Sequence, residues 1–232
     1  MGKSWAMKQQ WCDLLFAHWP LAPAVLAPLI PEPLRLEAFD GHAWIGIVPF
    51  RMQGIRMRYL PPIPGTSAFP ECNVRTYVQP KAGGKPGVFF FSLEAANTLA
   101  VKAARRWFHL PYFKARMSIE PSGDGFAYET VRTHAGARPA EFRGFYAPTG
   151  EIYRARAGDL DHWLTERYCL YAVDGKNRLF RGDVAHEAWP LQPARAEIET
   201  NTLAPVPLPA SDPLLHFAGH LDVRIHSLEK VS

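Results

Sequence analysis

Hydrophobic residues in this chain occur in short runs, and proline or glycine ends many of these runs. Runs of about 4–8 apolar residues between turn residues are typical of β-strands rather than long helices. The run from Ala43 to Phe50 is apolar at odd and even positions alike, which indicates a strand covered on both faces. The pattern therefore predicts one mainly β domain over residues 1–232, a barrel with a few helices.

A row of polar residues alternates with apolar ones immediately after this region. Glu71, Asn73, Arg75 and Tyr77 are separated by Cys72, Val74 and Thr76. Side chains of a strand alternate with period two, so the polar groups share one face, which points either to solvent or into a polar interior. The run from Val88 to Leu93, apolar apart from Ser92, favours the interior. A buried Glu71 then needs a partner arginine or a raised pKa.

Three segments have helical patterns. A near-helical repeat of apolar residues predicts an amphipathic helix from Trp5 to Trp19, stopped by Pro20. Helix-forming residues predict a second helix from Glu94 to Phe108, and Asp159 to Arg167 suits a short capped helix. The second helix has an apolar stripe made of Ala96, Leu99, Ala103 and Trp107. In the first helix, Asp13 and His18 could form a catalytic pair, or they could be a helix start and a structural histidine.

Turn residues predict two hairpins and one loop. Asp40-Gly41 separates Leu34–Phe39 from Ala43–Met52, and Asp174-Gly175 separates two further apolar runs. Such dipeptides favour tight turns because glycine accepts positive φ without a steric penalty. The proline-rich segment Tyr59–Pro64 predicts a loop.

Charge and composition exclude several classes of function. The net charge of +4, from 26 Lys and Arg against 22 Asp and Glu, is spread along the chain, so no nucleic-acid partner is predicted. The 3 cysteines have no C-x-x-C spacing, which favours a reducing cytoplasm over a disulfide framework or zinc site. The run from Leu14 to Ile30 is broken by His18 and prolines, so no leader or membrane span is predicted. Exposed barrel edges are compatible with a homodimer.

A metal site is not predicted either. His216 and His220 are four residues apart, as helical zinc ligands can be. Phe217, however, stands where the H-E-x-x-H motif needs its glutamate, and the sequence offers no third ligand.

Several longer segments together resemble the YqjF-like family of uncharacterised proteins, and the similarity covers nearly the whole chain. That family is similar to a distant branch of the acetoacetate decarboxylase superfamily. The resemblance implies a closed antiparallel β-barrel or cone around an internal cavity, with helices outside. The matching segments are Trp11-Cys-Asp-Leu-Leu-Phe-Ala-His-Trp-Pro20, Phe39-Asp-Gly-His-Ala-Trp-Ile-Gly-Ile-Val-Pro-Phe50, Glu71-Cys-Asn-Val-Arg-Thr-Tyr77, Phe91-Ser-Leu-Glu94, Leu110-Pro-Tyr112, Leu164-Thr-Glu-Arg-Tyr168 and Trp189-Pro-Leu-Gln192.

Acetoacetate decarboxylase forms a Schiff base through an activated lysine. In the segment of this chain that resembles its lysine motif, Arg105 and Pro111 agree with the motif, whereas Tyr112 stands where the Schiff-base lysine is expected. Lys114 is on the same side of the predicted strand as Tyr112, displaced by about 6.6 Å. Lysine-based decarboxylation would therefore require Lys114 and a pocket that has moved with it.

The leading hypothesis is a barrel that binds a small aromatic or anionic organic molecule without a cofactor. Arg75 would hold an anionic group and Tyr112 would donate a hydrogen bond. The alternative is an enzyme with Glu71 as general base and Tyr112 as acid, and a third interpretation is a filled barrel in which the polar row is structural. The other predicted ligand-binding residues are Asn73, Tyr77, Arg105, Trp44, Phe90 and His18.

Overall fold

The computed structural model describes residues 4–61 and 67–231, so residues 62–66 of the predicted loop Tyr59–Pro64 lie outside the described part. Strands account for most of the described chain. The elements are β1 Trp5–Leu21, α1 Pro23–Leu26, a 3₁₀ turn Ala27–Leu29, β2 Leu34–Leu36, β3 Ala43–Met57, β4 Phe69–Pro80, β5 Gly87–Ala95, α2 Thr98–Trp107, β6 Tyr112–Ser122, β7 Gly125–Arg132, β8 Glu141–Pro148, α3 Leu160–Thr165, β9 Cys169–Val173, β10 Leu179–Ala185, β11 Gln192–Asn201, β12 Leu214–His226 and β13 Glu229–Lys230.

The strands close into two rings that share one wall. The shared strands run in the order β12-β1-β3-β4-β5. The small ring is closed by β9 and β10, and the large ring, a 9-strand barrel, is closed by β6, β7, β8 and β11. Most pairings are antiparallel, but β5 is parallel to both β6 and β9, so the barrel is mixed rather than purely antiparallel. The prediction of a mainly β closed barrel is confirmed.

The shared wall separates two hydrophobic cores. In β3, Trp44, Val48 and Phe50 pack in the core of the small ring, whereas Ile45 and Ile47 pack in the core of the large ring. Both faces of these strands are therefore buried. This explains why the run from Ala43 to Phe50 is apolar at odd and even positions alike.

The predicted helix from Trp5 to Trp19 is wrong, because this segment is the long strand β1. It pairs with β12 on one side and β3 on the other. Covered strands carry apolar residues on both faces, and the register shifts between Cys12 and Ala17 interrupt the two-residue alternation. Asp13 sits in this irregular part with φ of 53°. Together these features produced a repeat that resembled a helix.

The Asp40-Gly41 turn forms, with φ of 50° and 79°, and joins a single bridge between Phe39 and His42. The predicted hairpin around it is wrong beyond that bridge, because β2 pairs with β4 instead of β3. The second predicted hairpin is confirmed by the antiparallel pairing of β9 and β10.

Helix α2 begins later than predicted, because β5 continues through Ala95 and Asn97 caps the helix by accepting a hydrogen bond from the Ala100 N–H. Leu99 and Trp107 of the predicted apolar stripe are exposed, whereas Val101, outside the stripe, is buried. No helix within residues 4–61 and 67–231 combines the length and hydropathy that crossing a bilayer requires.

Candidate functional site

The polar row of β4 points into the small ring. Glu71, Asn73, Arg75 and Tyr77 are all buried, with exposed fractions of 4%, 6%, 8% and 0%. Tyr77 itself belongs to the core of the small ring, and the other three residues share its strand face. The structure therefore decides between the two interpretations of this face in favour of a polar interior.

Glu71 and Tyr112 meet at one end of the row. The Tyr112 hydroxyl donates a hydrogen bond of 2.7 Å to Glu71 Oε2. Tyr112 reaches this position because β6 begins directly after Pro111 and runs parallel to β5, with Tyr112 opposite Leu93. From outside the ring, the exposed Arg105 donates a 2.8 Å hydrogen bond to the Tyr112 carbonyl. Arg105 thus supports the backbone of Tyr112 and does not itself line the interior.

The buried position of this pair raises the pKa of both side chains. Burial raises the pKa of Glu71 to about 7, although hydrogen bonds from Tyr112 and Asn73 act in the opposite direction. The pKa of Tyr112 is raised well above its ordinary value, mainly by burial and then by the charge of Glu71 and the hydrogen bond that Tyr112 donates to it. Tyr112 therefore stays a hydrogen-bond donor, and Glu71 can exchange a proton near pH 7. Of the two outcomes expected for a buried Glu71, a partner arginine or a raised pKa, the structure favours the raised pKa.

Arg75 is a buried cation on the same strand as Glu71. The two residues are about 13 Å apart along β4, since each residue of a strand advances it by about 3.3 Å. Its Nη2 donates a 3.3 Å hydrogen bond to the Leu164 carbonyl, and its guanidinium carbon lies 5.0 Å from the centre of the Phe16 ring. No carboxylate of residues 4–61 or 67–231 forms an ion pair with it. Burying a charge without an opposite charge is expensive, so this arginine is suited to an anion supplied from outside the chain.

His18, on β1, is fully buried and lies beside Arg75 of β4. Its Nε2 is 2.6 Å from the Tyr77 hydroxyl, which in turn donates a 2.8 Å hydrogen bond to the Leu164 carbonyl. Burial, together with the charges of Arg75 and His216, holds the pKa of His18 well below its ordinary range, so the imidazole is neutral. Of the two interpretations of Asp13 and His18, the catalytic pair is not found, because Asp13 instead forms an ion pair with Arg51.

Gly46 makes room for the His18 ring. It is opposite His18 in β1 and opposite Arg75 in β4. A Cβ atom at this position would lie 2.9 Å from the His18 Cδ2 and Nε2 atoms, and 3.5 Å from Arg75 Cγ. Since real Cβ contacts are not that short, the absence of a side chain at Gly46 is what lets the imidazole lie across the sheet and reach Tyr77.

Several buried polar atoms in the small ring have no hydrogen-bond partner among the described residues. An unpaired buried polar atom costs about 1–3 kcal/mol, and native proteins have few of them. A group of them inside one ring is typical of a site completed by water or by a ligand. The atoms are Trp11 Nε1, His18 Nδ1, Trp44 Nε1, Asn73 Oδ1, Arg75 Nε, Trp189 Nε1 and His216 Nδ1.

The groups that cover this interior were not predicted from the sequence. His216 Nε2 lies 3.0 Å from Asp161 Oδ1, and the Tyr153 hydroxyl donates a 2.8 Å hydrogen bond to Asp161 Oδ2. His216 and His220 are on strand β12, not on a helix, and His220 is exposed. His216 stands in a run that is otherwise apolar from Leu214 to Ala218, and this run was the one signal that could have placed it inside. Within the described residues, no group of three or more His, Cys, Asp or Glu side chains is arranged to hold a metal ion.

Phe90 lies at the edge of a separate groove. This groove has a volume of about 340 Å³ and is lined by Phe89, Phe91, His109, Leu110 and Tyr171 in addition to Phe90. Trp44, in contrast, is buried in the core of the small ring. Phe90 is also opposite Arg75 of β4 and packs against the same core, so both predicted aromatic wall residues lie beside the polar row.

Comparison with known proteins adds to this geometry. Residues 8–222 match the DUF2071 family, described as "Uncharacterized conserved protein (COG2071)". The chain belongs to the DUF2071 family. It is 47% identical to the uncharacterized protein YqjF of Bacillus subtilis (strain 168) over 231 residues, which cover 98% of this chain and 93% of YqjF.

Solved structures similar to this DUF2071 protein have the acetoacetate decarboxylase-like fold. An acetoacetate decarboxylase-like enzyme from Sphingomonas wittichii RW1 superposes with a TM-score of 0.66 at 15% identity, over 99% of this chain and 94% of that chain. The enduracididine biosynthesis enzyme MppR, complexed with the condensation product of pyruvate and imidazole 4-carboxaldehyde, gives a TM-score of 0.67 at 11% identity, over 100% and 91% of the two chains. The resemblance inferred from sequence is confirmed for family and fold.

Lys114 of this DUF2071 protein does not enter the interior that holds Glu71. Its side chain is exposed, and its backbone N–H donates a 3.1 Å hydrogen bond to His134 Nδ1. Tyr112 occupies the interior position instead. The structure thus gives no support to the hypothesis of a Schiff base at a displaced Lys114.

Proposed function

We propose that this DUF2071 protein binds a small organic anion inside the small ring. The observation that carries the proposal is Arg75, a buried guanidinium whose described partners are a neutral carbonyl and aromatic rings. A carboxylate can accept two parallel hydrogen bonds from an arginine, which makes arginine the usual residue for such groups. Phe16 and Trp44 supply apolar walls beside it.

Helix α3 covers the site and would have to move for a ligand to bind. Its Leu164 carbonyl accepts hydrogen bonds from Arg75 and Tyr77. A bound carboxylate would take the place of this carbonyl as the acceptor for Arg75, so α3 would move outwards when the ligand enters. The bond that is exchanged is a neutral one of 3.3 Å, which a charge-assisted bond to a carboxylate outweighs.

Acid–base catalysis is the second candidate, and the pKa of Glu71 favours it. A general base works best with a pKa near the operating pH, and burial raises the pKa of Glu71 to about 7 while Tyr112 remains protonated. Glu71 would take a proton from the ligand and Tyr112 would donate one. If acid–base catalysis is the function, the protein should convert a bound anion to a product. Glu71→Gln should abolish this conversion while leaving binding of the anion in place.

Arg75→Met tests the binding proposal. Calorimetric titration of a panel of small aliphatic and aromatic carboxylates is expected to show at least one that binds the wild type. Since a charge-assisted hydrogen bond contributes about 1.5–3 kcal/mol, the variant should bind that acid at least about tenfold more weakly. Its thermal stability should stay equal or rise, because removal of a buried, unpaired cation relieves its desolvation cost.

Arg116→Met is the matched control, because Arg116 is an exposed arginine on β6. It should bind the same acid as tightly as the wild type. The binding proposal fails if no carboxylate binds the wild type, or if Arg75→Met binds the acid unchanged.

The compartment is a further part of the proposal. Cys12, Cys72 and Cys169 are free and buried. Unpaired thiols are usual in a reducing environment, which supports a cytoplasmic location.

A further inference from the structure

Asp161 and His216 form a histidine–carboxylate pair where α3 covers the small ring. Asp161 is in the first turn of α3 and binds His216 Nε2 through Oδ1 and the Tyr153 hydroxyl through Oδ2. His216 has an exposed fraction of 3%, and its second ring nitrogen, Nδ1, is buried without a partner. One side of this imidazole is therefore fixed and the other side is unsatisfied.

The contacts define which nitrogen carries the proton. The hydrogen bond from His216 lowers the pKa of Asp161, so Asp161 is a carboxylate, which can only accept. His216 therefore donates from Nε2. In the neutral imidazole this leaves a lone pair on Nδ1, which can only accept a hydrogen bond. No N–H or O–H group of residues 4–61 or 67–231 meets it.

The same helix brings His216 close to the anion site. His216 is opposite Phe16 of β1, and the guanidinium carbon of Arg75 lies 5.0 Å from the centre of the Phe16 ring, while Asp161 and Leu164 of α3 contact His216 and Arg75 respectively. His18 belongs to the same cluster, since its ring stacks on the Phe16 ring with 5.8 Å between their centres. The interior under α3 thus combines an unpaired cation with an unpaired acceptor.

We propose that the ligand of this site is a small hydroxycarboxylate. Arg75 binds its carboxylate, and its hydroxyl donates a hydrogen bond to Nδ1 of His216. An amine could also donate, but its ammonium form would be repelled by the unpaired Arg75 nearby. His216 is then the residue that selects for the hydroxyl, with Asp161 holding it in the accepting tautomer. This inference rests on the proposed anion binding and names the class of anion.

Pairs of acids that differ only by a hydroxyl test the inference. Suitable pairs are lactate and propionate, 3-hydroxybutyrate and butyrate, and mandelate and phenylacetate. Calorimetric titrations at pH 8 compare the two acids of each pair under one condition. In at least one pair the wild type should bind the hydroxy acid about tenfold more tightly, the value of about one buried hydrogen bond. His216→Phe should bind both acids of that pair equally, at the affinity of the wild type for the unsubstituted acid.

His220→Phe is the matched control, because His220 is on the same strand but exposed. It should keep the tenfold preference. Acids that bind without any preference, or a preference that survives in His216→Phe, would overturn the inference while leaving anion binding intact. Absence of binding by every acid would overturn both. If His216→Phe does not fold, nitrogen NMR of ¹⁵N-histidine-labelled wild type decides: the Nδ1 signal of His216 should shift with the hydroxy acid and not with its partner, and equal shifts would contradict the inference.

Discussion

Replacing Arg132 by methionine is expected to lower the free energy of unfolding by about 3–5 kcal/mol. Arg132 on β7 donates from Nε to both carboxylate oxygens of Glu94 on β5, at 3.2 and 3.1 Å, and also from Nη2. The two side chains are exposed by only 8% and 0%. Without the arginine, Glu94 would be a buried carboxylate with no opposite charge, and the loss of its partner costs more than the pair itself contributes.

Urea unfolding monitored by tryptophan fluorescence measures this loss. Arg143→Met is the matched control, since Arg143 on β8 pairs at 3.1 Å with Glu129 on β7, the strand that also carries Arg132, but with side chains exposed by 53% and 36%. The control should lose at most about 1 kcal/mol, because water screens an exposed pair. The double variant Glu94→Gln/Arg132→Met should recover much of the stability. A single variant Arg132→Met as mild as Arg143→Met would show that Glu94 is not held as a buried charge.

Glu71→Gln is expected to change the dependence of stability on pH. The pKa of Glu71 is about 7 in the folded protein against an ordinary value of 4.5. Between these values the folded protein holds a proton that the unfolded chain has lost, so this contribution is complete below pH 4.5 and disappears as the pH rises through about 7. At about 1.4 kcal/mol per pKa unit, the wild type should lose about 3 kcal/mol relative to the variant over that range.

Urea unfolding of both proteins at several pH values from 4.5 to 8 measures this difference. Glutamine keeps an oxygen that can accept the Tyr112 hydrogen bond, so packing changes little between the two. Glu120→Gln, at an exposed glutamate of β6, should run parallel to the wild type. Parallel curves for Glu71→Gln and wild type would show that Glu71 ionises at its ordinary pKa, and would remove the support for Glu71 as a general base.

The sequence predicted those features that depend on neighbours in the chain. The alternation from Glu71 to Tyr77 placed four polar groups on one strand face, and Asp40-Gly41 marked a turn with positive φ. The hydrophobic pattern predicted a barrel, and the family resemblance added that the barrel is closed. The strand β1 was mistaken for a helix because the two cores it contacts are built by strands far along the chain, and no local pattern encodes those contacts.

The residues of the site also divide into those that could be predicted from the sequence and those that could not. The acid–base hypothesis had already paired Glu71 with Tyr112 in one site, and the two side chains do meet. The pairing of Asp161 with His216 could not, because it exists only once β12 and β10 close the small ring and α3 covers it. The sequence by itself determined which residues can share a strand face, since the alternation of side chains is a property of the extended backbone. Only the tertiary structure decided which face is interior, and thereby raised the pKa of Glu71, because ring closure removes that face from water.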